Sequence, residues 1–101
     1  MADNTLSGCQ VLVVDDSPFA LELSKALLEK AGCTQLVGAD GGHEALALAE
    51  STRFDVVLLD VTMPDMNGYA VARQLRAILP SPGPVIVMLT GRDIAEVEPE
   101  A

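Results

Sequence analysis

Three aspartates in this sequence directly follow apolar runs that have the composition of buried strands. Asp15 and Asp16 come after apolar residues 11–14, and Asp60 comes after apolar residues 56–59. Because the carboxyl ends of parallel strands meet at one edge of a sheet, we expect these carboxylates to lie close together. A single aspartate at a strand end more often caps a helix, but three clustered carboxylates repel each other unless a cation lies between them. Hard oxygen ligands of this kind predict a Mg²⁺ site.

A third strand end also carries a polar residue. Thr90 follows the apolar residues 85–89. We therefore expect its hydroxyl at the same edge of the sheet as the three aspartates, where it could donate a hydrogen bond to a ligand.

The elements that must position these residues alternate between apolar strands and amphipathic helices. Strands are predicted at residues 11–14, 34–39, 56–60 and 85–89, and helices at 18–31, 44–50 and 69–79. Ser17 and Pro18 are typical of a helix start, and Gly32 is typical of a left-handed helix end. The order βαβαβαβ predicts an α/β protein with a doubly wound parallel sheet that has helices on both faces.

Length and composition limit the possible functions. A chain of 101 residues forms at most one domain, with a core at about 10–91 and an acidic tail or helical stub at 92–101. The net charge of −9 disfavours direct contact with nucleic acid or anionic membranes. Cys9 and Cys33 lack metal-site spacing, so we expect buried free thiols in a cytoplasmic protein.

Together these segments resemble the receiver domains of two-component response regulators. The resemblance rests on Asp15-Asp16-Ser-Pro, on the segment from Asp60 through Pro64 to Gly68, and on Thr90-Gly91. The intervals also match, with 45 residues from the first aspartate to Asp60 and 30 from there to Thr90. It implies a CheY-like, flavodoxin-like fold and a signalling module rather than an enzyme.

The resemblance also implies a role for each residue of the site. Asp60 would be the phosphoacceptor, phosphorylated by a histidine kinase or a phosphotransfer protein. Asp16, Asp60 and the backbone carbonyl of Thr62 would ligate Mg²⁺, and Asp15 would act through a metal-bound water. Thr90 would hydrogen-bond a phosphoryl oxygen.

One part of the family pattern has no counterpart in this sequence. Receivers continue with a fifth strand that ends in lysine and with a closing helix, whereas the only lysines here are Lys25 and Lys30 on the first helix. We therefore expect a receiver that is truncated after the fourth strand. Its exposed fourth-strand edge or uncovered sheet face, a surface expected to include Ile86 and Val87, would favour a homodimer.

Two alternative functions compete with phosphoryl acceptance. A phosphorylation-independent interaction module would keep the fold and lack the signal. A phosphatase of the haloacid dehalogenase type would need a second acid two residues after Asp60, where this sequence has Thr62.

Two further residues receive simpler interpretations. His43 is predicted to be a solvated surface histidine at the start of the second helix. Gly68 is predicted to relieve a loop position with positive φ.

Overall fold

The computed structural model describes residues 8–89, which form four parallel strands and three helices. Residues 1–7 and 90–101, including the predicted acidic tail, lie outside the described range. The predicted βαβαβαβ order is confirmed, and each boundary lies within two residues of its predicted position. The elements are β1 Gln10–Val14, α1 Pro18–Lys30, β2 Gln35–Ala39, α2 Gly42–Ser51, β3 Val56–Asp60, α3 Gly68–Ile78 and β4 Val85–Leu89.

The strand order is β2-β1-β3-β4, and every neighbouring pair is parallel. β1 lies between β2 and β3, with Val14 opposite Leu59. The prediction that the first and third strands are neighbours is therefore confirmed, as is the flavodoxin-like doubly wound fold.

Local sequence signals define the ends of α1. The Ser17 side chain accepts a hydrogen bond from the Ala20 amide at 3.3 Å, and Pro18 occupies the first turn, where its missing N–H costs nothing. The chain leaves α1 through Gly32, which has a φ of 106°. This left-handed conformation confirms the predicted role of Gly32 at the helix end.

One side of the sheet, here called the α2–α3 face, is covered by two helices. Alternate residues of the strands point to this side, and Leu12, Val57 and Leu59 have no exposed surface. Ile86 and Met88 of β4 also pack against this core. It is completed by helix residues that are almost fully buried: Ala45, Ala49, Val71 and Leu75.

The opposite side, here called the α1 face, is only partly covered by the described residues. Val11 and Val13 of β1 are buried, and Leu21 and Leu28 of α1 pack against the same cluster. Further along the sheet, Val56 and Leu58 of β3 are half-buried. On β4 the exposure rises to 61% for Val85 and 38% for Val87.

This distribution corrects one detail of the predicted uncovered surface. We expected Ile86 to lie on it, but Ile86 packs into the core of the α2–α3 face. Successive side chains of a strand point to opposite faces, so Val85 and Val87 line the uncovered side instead. Within residues 8–89, no helix is both long and apolar enough to cross a bilayer.

Candidate metal site at the carboxyl edge of the sheet

The structure brings Asp15, Asp16 and Asp60 together at the carboxyl edge of the sheet. The first two follow β1, and Asp60 is the last residue of the adjacent strand β3. Each residue offers a carboxylate oxygen that lies within 4.8 Å of the other two. Asp15 and Asp60 are half-buried, and Asp16 is exposed. The cluster therefore lies at the surface, where a hydrated ion can reach it.

Backbone amides orient two of these carboxylates. Asp15 Oδ1 accepts a hydrogen bond from the Ser17 amide at 3.0 Å, which ties the carboxylate to the start of α1. Asp60 Oδ1 accepts one from the Thr62 amide at 3.3 Å. Both carboxylates are thus held by the chain that immediately follows them.

Burial and like charge make the ionised form of Asp60 costly. Burial raises the pKa of Asp60, and the negative charges of Asp15 and Asp16 raise it further, while the Thr62 amide lowers it. A cation among the carboxylates would reverse the effect of the neighbouring charges. The donor set is all oxygen and partly open to solvent, which fits Mg²⁺ because this ion keeps several of its waters.

The backbone behind Asp60 is packed against Gly68. A Cβ atom on Gly68 would lie 2.6 Å from the Asp60 carbonyl oxygen and 2.9 Å from the Cα of Val61. The predicted positive φ at Gly68 is wrong, because among the described residues only Gly32 has one. Gly68 is instead the first residue of α3, and close approach to the β3 terminus is what requires a glycine.

Two threonines, Thr62 and Thr90, were also predicted to lie at this edge of the sheet. Thr62 is exposed in the β3–α3 loop, residues 61–67, and its carbonyl is the predicted third protein ligand. Thr90 lies outside the described residues. The described part of β4 ends at Leu89, which is opposite Asp60 and accepts a hydrogen bond from the Val61 amide at 2.9 Å.

The role of the one carboxylate in this loop, Asp65, was not predicted from the sequence. Asp65 accepts hydrogen bonds from the amides of Gly42 and His43, each at 3.1 Å, and its Oδ2 lies 2.9 Å from His43 Nδ1. The His43 amide is the main cause that lowers the pKa of Asp65 to about 2, followed by the Gly42 amide. His43 is 72% exposed, as predicted, but it is engaged with Asp65.

Similar proteins support a common architecture. The family model of the response regulator receiver domain matches residues 11–101. PilH of Pseudomonas aeruginosa is 37% identical over 83% of this chain and 69% of its own length. A protein-glutamate methylesterase of Methanospirillum hungatei is 38% identical over 86% of this chain, which spans only 24% of that longer protein.

A solved structure of similar sequence includes a metal. It is the response regulator TrrA of Thermotoga maritima in complex with Mg²⁺ and BeF, which has a TM-score of 0.75 and 36% identity to this chain. The match covers 81% of this chain and 69% of TrrA.

Proposed function

The chain belongs to the response regulator receiver domain family, and on this premise we propose that it is a Mg²⁺-dependent phosphoryl acceptor of two-component signalling. Receiver domains are mainly signalling modules, and we propose the same role here rather than catalytic turnover. The observation that carries the proposal is the cluster of Asp15, Asp16 and Asp60, whose carboxylate oxygens lie within 4.8 Å of one another. Asp60 is the proposed phosphoacceptor because it ends the central strand β3 and is half-buried.

The proposed reaction is an in-line transfer to Asp60. A carboxylate oxygen of Asp60 attacks the phosphorus of a phosphohistidine on a histidine kinase or phosphotransfer protein. The new P–O bond forms as the P–N bond breaks, and the imidazole leaves with the electron pair. Asp60 must be ionised for this attack, and burial, together with the charges of Asp15 and Asp16, raises its pKa and so opposes ionisation.

A bound Mg²⁺ ion would allow the site of the three clustered carboxylates to accept a negatively charged phosphoryl group. When bound, Mg²⁺ supplies positive charge that offsets the charge of the carboxylates and of the phosphoryl oxygens. Asp16, Asp60 and the Thr62 carbonyl are the proposed direct ligands, and Asp15 is proposed to act through water. The complex of the similar protein TrrA with Mg²⁺ and BeF supports Mg²⁺ as the cation of the proposed site. Thr90 is proposed to hydrogen-bond the phosphoryl group.

The net charge of the chain and its two cysteine thiols indicate which partners and which cellular compartment to propose. A net charge of −9 repels phosphate backbones, so we propose no direct nucleic-acid partner and no anionic membrane surface. Cys9 and Cys33 are free, which suits a reducing compartment, and the cytoplasm is the proposed location.

A second copy of the chain is the proposed occupant of the α1 face. Phe19, Leu23 and Leu27 of α1 are 78%, 49% and 60% exposed, and Val85 and Val87 of β4 are exposed on the same side of the sheet. They are the large apolar side chains of the described residues that stay exposed on this face, and apolar patches of about 300–600 Å² often mark interaction sites. Because a standard interface takes about 800 Å² from each partner, the proposed homodimer is weak and reversible.

Acetyl phosphate tests the phosphoacceptor directly. Incubation with acetyl phosphate and Mg²⁺ is expected to add the mass of one phosphoryl group, and Asp60→Asn is expected to prevent this. Asp40→Asn is the matched control, since Asp40 is an exposed aspartate that follows β2 but is not part of the cluster. Chelation of Mg²⁺ is expected to abolish labelling of the wild type.

Each other outcome points to a different function. Labelling that persists in Asp60→Asn would place the nucleophile elsewhere. A wild type that binds its partner but is never labelled would be a phosphorylation-independent interaction module. Steady turnover of a chromogenic phosphate ester would instead identify a phosphatase.

A further inference from the structure

The start of α2 is capped by a residue from another part of the chain. Gly41 occupies the N-cap position of α2 and makes no side-chain cap hydrogen bond. The Asp65 carboxylate takes that place, with Oδ1 accepting from the Gly42 amide and Oδ2 from the His43 amide. A helix N-terminus favours such an anion because its first amides lack intrahelical acceptors. Asp65 therefore joins α2 to the β3–α3 loop.

Two glycines make room for this contact. A Cβ atom on Gly41 would lie 2.9 Å from Asp65 Oδ2, and one on Gly42 would lie 2.8 Å from Val71 Cγ2 and 2.9 Å from Met66 Cβ. A larger residue at Gly42 would push Met66 and Val71, and with them the β3–α3 loop or α3, away from α2, whereas one at Gly41 would displace the Asp65 carboxylate. The close approach of these elements therefore depends on the Gly41-Gly42 pair.

The same loop is held at both of its ends next to the candidate metal site. At its start, the Thr62 amide donates to Asp60 Oδ1, and at its end the Gly68 amide donates to the Val61 carbonyl at 2.8 Å. Asp65 fixes the middle of the loop to α2, so the path of the chain around Thr62 is constrained from three points. Ionised Asp65 makes these bonds at neutral pH, since its pKa is lowered to about 2.

We propose that Asp65 is a positioning residue that holds the β3–α3 loop on α2 and thereby sets the Thr62 carbonyl relative to Asp60. The inference rests on the proposed function, because only there is the Thr62 carbonyl a Mg²⁺ ligand. Residues that orient metal ligands without touching the metal typically change affinity about tenfold or more when they are removed.

The alternative is that Asp65 only stabilises α2, and the chain contains a matched control for that role. Glu44, in the first turn of the same helix, accepts a hydrogen bond from the Asp40 amide at 2.9 Å through Oε1. This contact links α2 to the segment directly before it and does not involve the β3–α3 loop. A pure helix-capping role predicts similar consequences for Asp65→Ala and Glu44→Ala.

Two measurements on the full chain separate these roles. Amide hydrogen exchange followed by NMR is expected to be about tenfold faster at Thr62 and Gly68 in Asp65→Ala, and unchanged in Glu44→Ala. Calorimetric titration with MgCl₂ is expected to show about tenfold weaker binding in Asp65→Ala alone. Asp65→Asn keeps one acceptor oxygen for the Gly42 amide and is expected to give intermediate values.

Loop exchange and Mg²⁺ affinity that are the same in both alanine variants would overturn the inference. A failure of the proposed function has a different signature: the wild type would then bind no Mg²⁺ at all. The exchange rates at Thr62 and Gly68 would still decide in that case, since unchanged rates in Asp65→Ala would exclude a role in holding the loop.

Discussion

On the α2–α3 face of the sheet, Val57 and Leu59 have no exposed surface, whereas on the α1 face their chain neighbours Val56 and Leu58 are half-buried. The contrast grows at β4, where Ile86 packs into the core and Val85 is 61% exposed. The strands are the same, and only the helices that cover them differ. The apolar composition of a strand therefore predicts that its residues favour burial. How far each side chain is buried depends on the helix that packs against that face of the sheet.

The largest expected difference between the faces concerns the stability of two adjacent leucines. Leu59→Ala is expected to lower the free energy of unfolding by about 3 kcal/mol, because it leaves a cavity in a closed core. Leu58→Ala, in the same strand, is expected to cost clearly less, because its surroundings are partly open to solvent. Urea unfolding followed by circular dichroism measures both.

Equal losses in the two variants would show that the α1 face is as well covered in solution as the α2–α3 face. That result would count against the exposed surface on which the homodimer is proposed. The slope of the urea transition serves as the control, since an unchanged slope indicates that both variants unfold from the same native state.

Much of this fold could be predicted from sequence because its signals are local. Purely apolar runs predicted the strands, and Ser17, Pro18 and Gly32 predicted the ends of α1 through preferences of single residues. The side on which Ile86 lies was predicted wrongly, since β4 is apolar throughout and carries no alternation that would set its facing. Only the packing of α2 and α3 determines it.

The next largest effect is expected on self-association through the α1 face. Val87→Lys places a charge on the exposed side of β4 and is expected to weaken the dimer about tenfold while the protein stays folded. Ile86→Lys is the comparison variant, and it is expected to lower stability because Ile86 packs into the core. Sedimentation equilibrium at several salt concentrations measures association, and added salt should strengthen it by screening the net charge.

A wild type that remains monomeric at high protein and salt concentration would contradict the proposed dimer. A wild-type dimer that Val87→Lys leaves intact would place its interface elsewhere on the molecule. Either result would leave the difference in burial between the two faces unchanged, but its role in assembly would be lost.

The candidate site was predictable only in part. The topology of parallel strands is enough to place Asp15, Asp16 and Asp60 at one edge. The contact of Asp65 with α2 depends on the path of a loop of seven residues, which no periodic pattern describes. The adjacent glycines and the missing side-chain cap at Gly41 were the available signals, and they indicate a close neighbour without identifying it.

The smallest expected effect concerns the stability contribution of Asp60, which lies at the carboxyl edge of the sheet. Burial and the charges of Asp15 and Asp16 raise the pKa of Asp60 above its ordinary value of 3.8. The folded protein therefore holds this proton more tightly than the unfolded chain, and stability decreases as pH rises from about 3.8 through the raised pKa. Asp60→Asn is thus expected to be more stable than the wild type at pH 7 without Mg²⁺, and the difference should vanish below pH 3.8. The gain should be smaller than the two effects above because Asp60 is half-buried and solvent screens its neighbours.

Thermal unfolding of both proteins across this pH range measures the difference, with Asp40→Asn as the control for the loss of one charge. A gain that rivals the loss in Leu59→Ala would show that the edge is as dry as the α2–α3 face. A loss of stability at pH 7 would mean that contacts of the Asp60 carboxylate, such as the Thr62 amide, outweigh the repulsion.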